Sequence, residues 1–411
     1  MPRTEEKPWK IVYIMLCLAL LTLAAYQFFI ILPTSNLGWD YRIIVGAVQS
    51  LDHNQNPYIV KNIEQYAGGV GGPFVYPPYT LYFFWLLDSL FVYHYIVIYY
   101  VLLVILLIIS GYLIVTLNHK PHYLFLTTLL VTGFMSLYWN FLTGNKDIFF
   151  LFLFAVIFIL LIKEKYWQSS IVMGLAAAVS LITGPFIALY LVIRRPILDR
   201  LAYIVVSIGV VAALFLVSYC INPLFLASYI GTLQGTTSGT ISPFNEPGGW
   251  NLPTPYWLFM ELISSVSPGN GIPIILVSCI YIGIILYATW NYYQRHTGEL
   301  LKIYSLVMLS VFMILPRIKP YDFIILVIPL YFLFKDCSYQ IKSLVLSAIS
   351  LLPLFVFFVR LYPRFGISLY NLPFLLGWYV QAYSLFLVFL AVILHDHLTP
   401  ASNDEGKNLG E

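Results

Sequence analysis

Long apolar runs alternate with short polar stretches along nearly the whole chain. The runs lie at about 11–32, 78–91, 95–117, 122–141, 147–163, 168–194, 199–220, 272–292, 299–316, 321–335, 338–361 and 372–395. Most approach the length at which a helix crosses the hydrocarbon core of a bilayer, and none shows the ten-residue alternation of a membrane barrel strand. The pattern predicts an all-α integral membrane protein with about twelve transmembrane helices. Two runs depart from that length. Residues 78–91 are short for a span, and 168–194 are interrupted at Thr183-Gly184-Pro185, where proline disfavours a helical residue before it. Two polar stretches are long instead, 33–77 and 221–271. Within the first, Ile43, Ile44, Ala47, Val48 and Leu51 recur at helical spacing after Asp40. That spacing predicts a short helix lying in the membrane interface, its apolar face in lipid and Asp40 at its N-terminal end facing water.

Charge sets the orientation, because Lys and Arg collect on the cytoplasmic side. Suppose 78–91 dips in without crossing and 168–194 forms two short crossing helices. The N-terminus, the basic turns near Lys120, Lys163-Lys165, Arg194-Arg200, Arg295-Lys302 and Lys335-Lys342, and the tail 396–411 then face the cytoplasm. The loop 221–271 contains no Lys or Arg and falls outside together with 33–77. Counting every run as one simple span keeps both long loops outside. It instead places Lys163 and Lys165 outside and Lys146-Asp147 inside. The first run, Ile11 to Leu32, is too long for the apolar part of a cleavable signal and predicts a signal anchor. No break in composition marks a second domain, so 1–411 reads as one multi-pass domain of the plasma membrane.

Composition agrees. The chain is 60% hydrophobic and 9% charged, against about 25% charged in soluble domains, and its mean hydropathy is +0.86. The net charge of +3 comes from scattered bases, so nucleic acid is not an expected partner. Cys17, Cys220, Cys279 and Cys337 lie far apart without metal-ligand or disulfide spacing, and no cofactor or metal is expected. Tyr and Trp anchor helices at the interface, although aromatic rings also stack on sugars.

Three groups of residues could carry chemistry. Asp40 could cap its helix, expose a carboxylate to a substrate, or do both with its two oxygens. Gly144-Asn145-Lys146-Asp147 opens an apolar run, where an acidic residue also favours a helix start. Pro316-Arg317-Ile318-Lys319-Pro320-Tyr321-Asp322 joins two runs on the expected outer side, which positive charge normally avoids. A lipid phosphate would explain Arg317 and Lys319, and snorkelling to headgroups is the alternative. There is no P-loop, no dinucleotide fingerprint and no D-x-D. The glycines from Gly68 to Gly72 lack the strand and helix that a phosphate cradle needs.

The order Asp40-Tyr41, Asn56-Pro57-Tyr58, Tyr76-Pro77-Pro78 just after a first transmembrane helix resembles the first outer loop of the GT-C glycosyltransferases. It is most similar to the family 87 polyprenol-phosphate-dependent group, over residues 1–195. The resemblance implies transfer of a hexose, typically mannose, from a polyprenyl-phosphate-sugar to a lipid- or glycan-linked acceptor on the outer face, with inversion. It puts the catalytic base at Asp40. Donor or acceptor contacts are expected from Tyr41, Arg42, Tyr58, Tyr76, Asn145, Lys146, Asp147, Asn251, Arg317 and Lys319. Gly144-Asn145 stands where members often carry Gly-Gln, one methylene longer. A transporter or flippase of a lipid-linked or small polar substrate is the alternative. It should carry ionisable residues near the bilayer midplane and show repeat symmetry; here the suspicious charges lie at helix ends. A membrane scaffold without catalysis leaves the Asp40 to Pro78 pattern unexplained.

Overall fold

The structure is a computed structural model that describes residues 6–35, 37–90, 95–117, 120–237, 254–266, 271–296, 298–350 and 379–398. Among these residues every regular element is helical. Helix α1 (Glu6–Tyr26) continues through a π turn at Gln27–Ile31. Then come α2 (Trp39–Asp52), α3 (Val60–Tyr66), α4 (Pro78–Leu90) and α5 (Tyr95–Thr116). Helices α6 (Tyr123–Thr132) and α7 (Ser136–Thr143) are joined by a 3-10 turn at Gly133–Met135. Helices α8 (Asp147–Ile162) and α9 (Tyr166–Val179) lead to a 3-10 segment at Leu181–Val192. Helices α10 (Ile197–Ile221), α11 (Pro223–Gln234), α12 (Pro255–Val266), α13 (Gly271–Arg295) and α14 (Leu300–Ile314) follow. A short 3-10 turn at Asp322–Leu326 opens α15 (Val327–Phe334), and α16 (Tyr339–Ile349) and α17 (Val380–Leu398) complete the set.

Among the described residues, five helical stretches are long and apolar enough to cross a bilayer: Glu6–Ile31, Ile96–Thr116, Tyr123–Thr143, Ile197–Ile221 and Ile275–Arg295. Further apolar helices, α8, α14 and α17 among them, are shorter. The short ones form the middle of the molecule. On α8, Ile148, Leu151, Phe154, Ile157, Phe158 and Leu161 are all fully enclosed, and α15 is buried along its whole length. The long helices α5, α10 and α13 pack around this centre and turn Val101, Ile108, Val205, Ile275 and Ile284 outward, as a lipid-facing surface requires.

The 168–194 run does break, but at Ser180 rather than at Pro185. A proline ring clashes with the carbonyl four residues earlier, here that of Leu181, so the α-helix must stop one turn before the proline. Ser180 is extended (φ −142°, ψ 109°), and the following turn tightens to i→i+3 bonds such as Thr183 N–H to Ser180 O at 2.9 Å.

The amphipathic helix predicted after Asp40 is present as α2, but its apolar face is not laid in lipid. Ile43, Ile44, Ala47 and Val48 are buried against Tyr58, Ile63 and Phe74 of the same loop, against Leu81 of α4 and against Tyr229 of α11. Helices α2 and α3 touch so closely that a Cβ on Gly46 would lie 2.6 Å from the Ile63 carbonyl oxygen. The first long loop is thus a small packed unit with its own core. The 221–271 segment contains α11 and α12. Asn251 and the glycine-rich tract beside it lie outside the described residues.

Candidate active site

Two left-handed glycines set the site. Gly38 (φ +78°) precedes α2 and donates its N–H to Leu142 O at 2.9 Å. Gly144 (φ +68°) ends α7, and a Cβ there would lie 2.7 Å from the Tyr41 Cβ. Only glycine accommodates both the conformation and the contact. The N-terminus of α2 is thereby pressed onto the turn between α7 and α8.

Asp40 sits in the first turn of α2 and does not cap it; that place belongs to Gly38, without a side-chain bond. The carboxylate is used differently. Its Oδ2 accepts a 2.9 Å hydrogen bond from the Asn145 side-chain nitrogen. Asp40 and Asn145 must therefore share a side of the membrane. This excludes the simple-span count, which separated 33–77 from Lys146-Asp147.

Asn140, fully buried, clips the surrounding backbone together. Its side-chain nitrogen donates to Ser136 O (2.9 Å) and Tyr321 O (3.0 Å), and its oxygen accepts the Asp147 N–H at 3.2 Å. The turn before α15 is closed by Asp322, whose Oδ2 accepts the Lys319 N–H at 2.6 Å. Tyr76 is held from behind, where the hydroxyl of buried Tyr58 donates to its carbonyl at 2.9 Å. The Lys146 ammonium lies 3.8 Å from the centre of the Tyr76 ring, a cation–π contact.

These segments enclose a cavity of about 240 Å³. Of the residues expected from sequence, Tyr76, Asn145, Lys146, Asp147, Arg317 and Lys319 line it, and Asp40 adjoins it through Asn145. The other expected residues are placed differently. Tyr58 is part of the loop core and props Tyr76 instead of lining the cavity. Tyr41 stacks on Tyr99 with ring centres 5.0 Å apart, and neither Tyr41 nor Arg42 is on the cavity wall. Sequence reasoning gave no separate role to Tyr321 and Asp322, which do line it, and missed the Ser180–Ile182 elbow and Tyr229. The adjacency of Asp322 to the Arg317-Lys319 pair was the available signal.

Electrostatics follow from burial. Loss of water pushes the Asp40 carboxyl above its ordinary range, and Asn145, Thr143, Lys146 and Lys319 partly offset this. Burial pulls the Lys146 ammonium down, with Asp147, Asp322 and Asp40 acting in the opposite direction. Burial and the nearby carboxylates raise the Tyr76 phenol, so it stays neutral. The site thus combines a carboxylate that can take a proton, a cluster of cations, and a partly enclosed space whose walls are apolar as well as polar.

Among the described residues the protein is all-helical, with this cavity at the ends of its short central helices. The family model for Glycosyltransferase family 87 matches residues 74–316, well over half of the chain, and the protein belongs to that family. The match runs well past residue 195, where the motif resemblance ended. It includes Tyr76 and Asn145 to Asp147, while Asp40 precedes it and Arg317 and Lys319 follow it. No curated protein matches the chain. Family membership favours glycosyl transfer over the transporter alternative.

Proposed function

We propose that the protein transfers a hexosyl group from a polyprenyl-phosphate-sugar to a hydroxyl of a lipid- or glycan-linked acceptor on the outer face of the membrane. Asp40 takes the acceptor proton as the acceptor oxygen bonds to the anomeric carbon. The bond from that carbon to phosphate breaks on the opposite side, which inverts the configuration. The electron pair leaves with the polyprenyl phosphate, whose charge Arg317 and Lys319 match. Phosphate is a good leaving group, so no strong general acid is needed. The observation that carries this reading is the Asp40–Asn145 bond, which fixes a carboxylate at the edge of a cavity that also bears Arg317 and Lys319. Mannose, to which the family resemblance points, is the first sugar to try.

The direct test is Asp40→Asn, which keeps the shape of the side chain. Transfer should fall by roughly 10²-fold or more, while expression and donor binding stay close to the parent. A variant that folds, binds donor and transfers within a few-fold of the parent rate would remove Asp40 from the mechanism.

A further inference from the structure

We propose that Asn145 and Asp147 read the hydroxyls of the transferred sugar, with Asn145 joining that sugar to the base. The proposal rests on the donor reading above and assigns one end of its cavity. Asn145 is 1% exposed and Asp147 2% exposed, and both line the cavity. Asn145 has a buried acceptor, Oδ1, with no hydrogen-bond partner in the protein, whereas the Asp147 carboxyl, whose Oδ2 receives no other donor, is hydrogen-bonded to that of Asp322, a contact that requires a shared proton. Buried polar atoms are rarely left this way unless a ligand or water completes them. The amide orientation of Asn145 is fixed, because turning it over would set its oxygen against the Asp40 carboxylate. Its oxygen therefore points away from the base.

The open position on Asn145 is an acceptor, so the group that fills it must be a donor. A sugar hydroxyl meets that need and a phosphate oxygen does not. The charges around Asp147 include Asp322, Asp40 and Lys146. The Lys146 ammonium also faces the rings of Tyr76 and Phe150, 3.8 and 5.2 Å from their centres. On the donor reading, Arg317 and Lys319 are occupied by phosphate. A sugar bearing its own carboxylate would meet Asp40 and the Asp147–Asp322 pair at this end and be rejected, which is selection by repulsion as well as by fit. A volume of about 240 Å³ lies below the range of about 300–1,000 Å³ for pockets that enclose drug-sized ligands. It suits one sugar ring rather than an oligosaccharide. The Asn145 amide then spans from Asp40 to the sugar, so that the base and the transferred group share one positioning residue.

The test measures binding to the purified full chain of lipids that share one polyprenyl tail: the bare phosphate, the mannosyl phosphate, its monodeoxy analogues, and the corresponding hexuronosyl phosphate. The parent should bind the mannosyl lipid at least tenfold more tightly than the hexuronosyl lipid. At least one deoxy analogue should lose about tenfold or more, the scale of one hydrogen bond to a charged group. Asp147→Asn should reduce the preference against the hexuronosyl lipid and against that deoxy analogue, yet bind the bare phosphate within twofold of the parent. Equal binding of neutral and acidic sugars by the parent overturns the assignment, and needs no variant to fold. So does an Asp147→Asn protein that loses bare phosphate as much as it loses mannosyl phosphate. Failure of the parent to bind any of these lipids, the bare phosphate included, overturns the donor reading itself.

Discussion

Asp40 sits in an environment that opposes its charge. Burial raises its carboxyl, and Asn145 is the first of the groups that bring it back down. A general base works when deprotonated, so transfer should be lost as pH falls through the raised value. The acidic limb of kcat/KM should therefore lie above the ordinary carboxylate range, near 4. Asn145→Ala removes a donor to the charged form, and the limb should move further up, with activity at high pH less affected than activity at low pH. A pH–rate profile of the two proteins checks this; a limb that stays in place would mean that Asn145 does not act on the base. Asp40 was legible in the sequence because helical spacing follows it directly. Asp322 was harder to see, since its place beside Asp147 depends on a turn more than a hundred residues away. The place of Tyr58 is not legible, because the sequence shows an aromatic beside a proline but not the direction it faces. It faces the loop core.

At the scale of elements, the site depends on how closely α2 meets the turn at Gly144. Gly144→Ala places a methyl group against Tyr41 in a left-handed backbone. The left-handed penalty of about 1–2 kcal/mol and an overpacking cost of about 1–3 kcal/mol should together lower Tm and reduce transfer. Gly68→Ala is the control. It has φ +64° but nothing within 4 Å of the added carbon, so only the backbone penalty applies and transfer should persist. Comparable losses of transfer from both would show that close approach at Gly144 is unimportant. The break in the 168–194 run was visible as a proline, yet its position was not. The sequence marks the missing N–H, whereas the helix ends where the ring would strike a carbonyl one turn back. The face of α2 was visible too, but periodicity cannot say whether protein or lipid covers it.

For the whole molecule, the polar site and the basic turns lie at opposite ends of the same helices. Helix α8 starts at Asp147 and ends beside Lys163 and Lys165; its sixteen residues rise about 24 Å. Helix α14 likewise runs from Lys302 near its start toward Arg317 beyond its end. If the site faces outward, those basic turns face the cytoplasm. In a protein without its native cysteines, Lys61→Cys should react with an impermeant maleimide on intact cells, and Lys165→Cys only after permeabilisation. The reverse pattern would place the site inside. The overall class was legible because hydropathy needs only local sequence, whereas the cavity unites segments that meet only in three dimensions. The Asn140 clip has a consequence in time. Its bond to Tyr321 O spans 181 residues, and synthesis at about 5–20 residues per second takes roughly 9–36 s to cover that distance. Throughout that interval the nascent chain carries a polar amide that belongs in the interior and has not met its distant acceptor. Quality-control factors that survey membrane segments have that long to distinguish an unfinished chain from a finished one, and a chain truncated before Tyr321 would display that amide permanently.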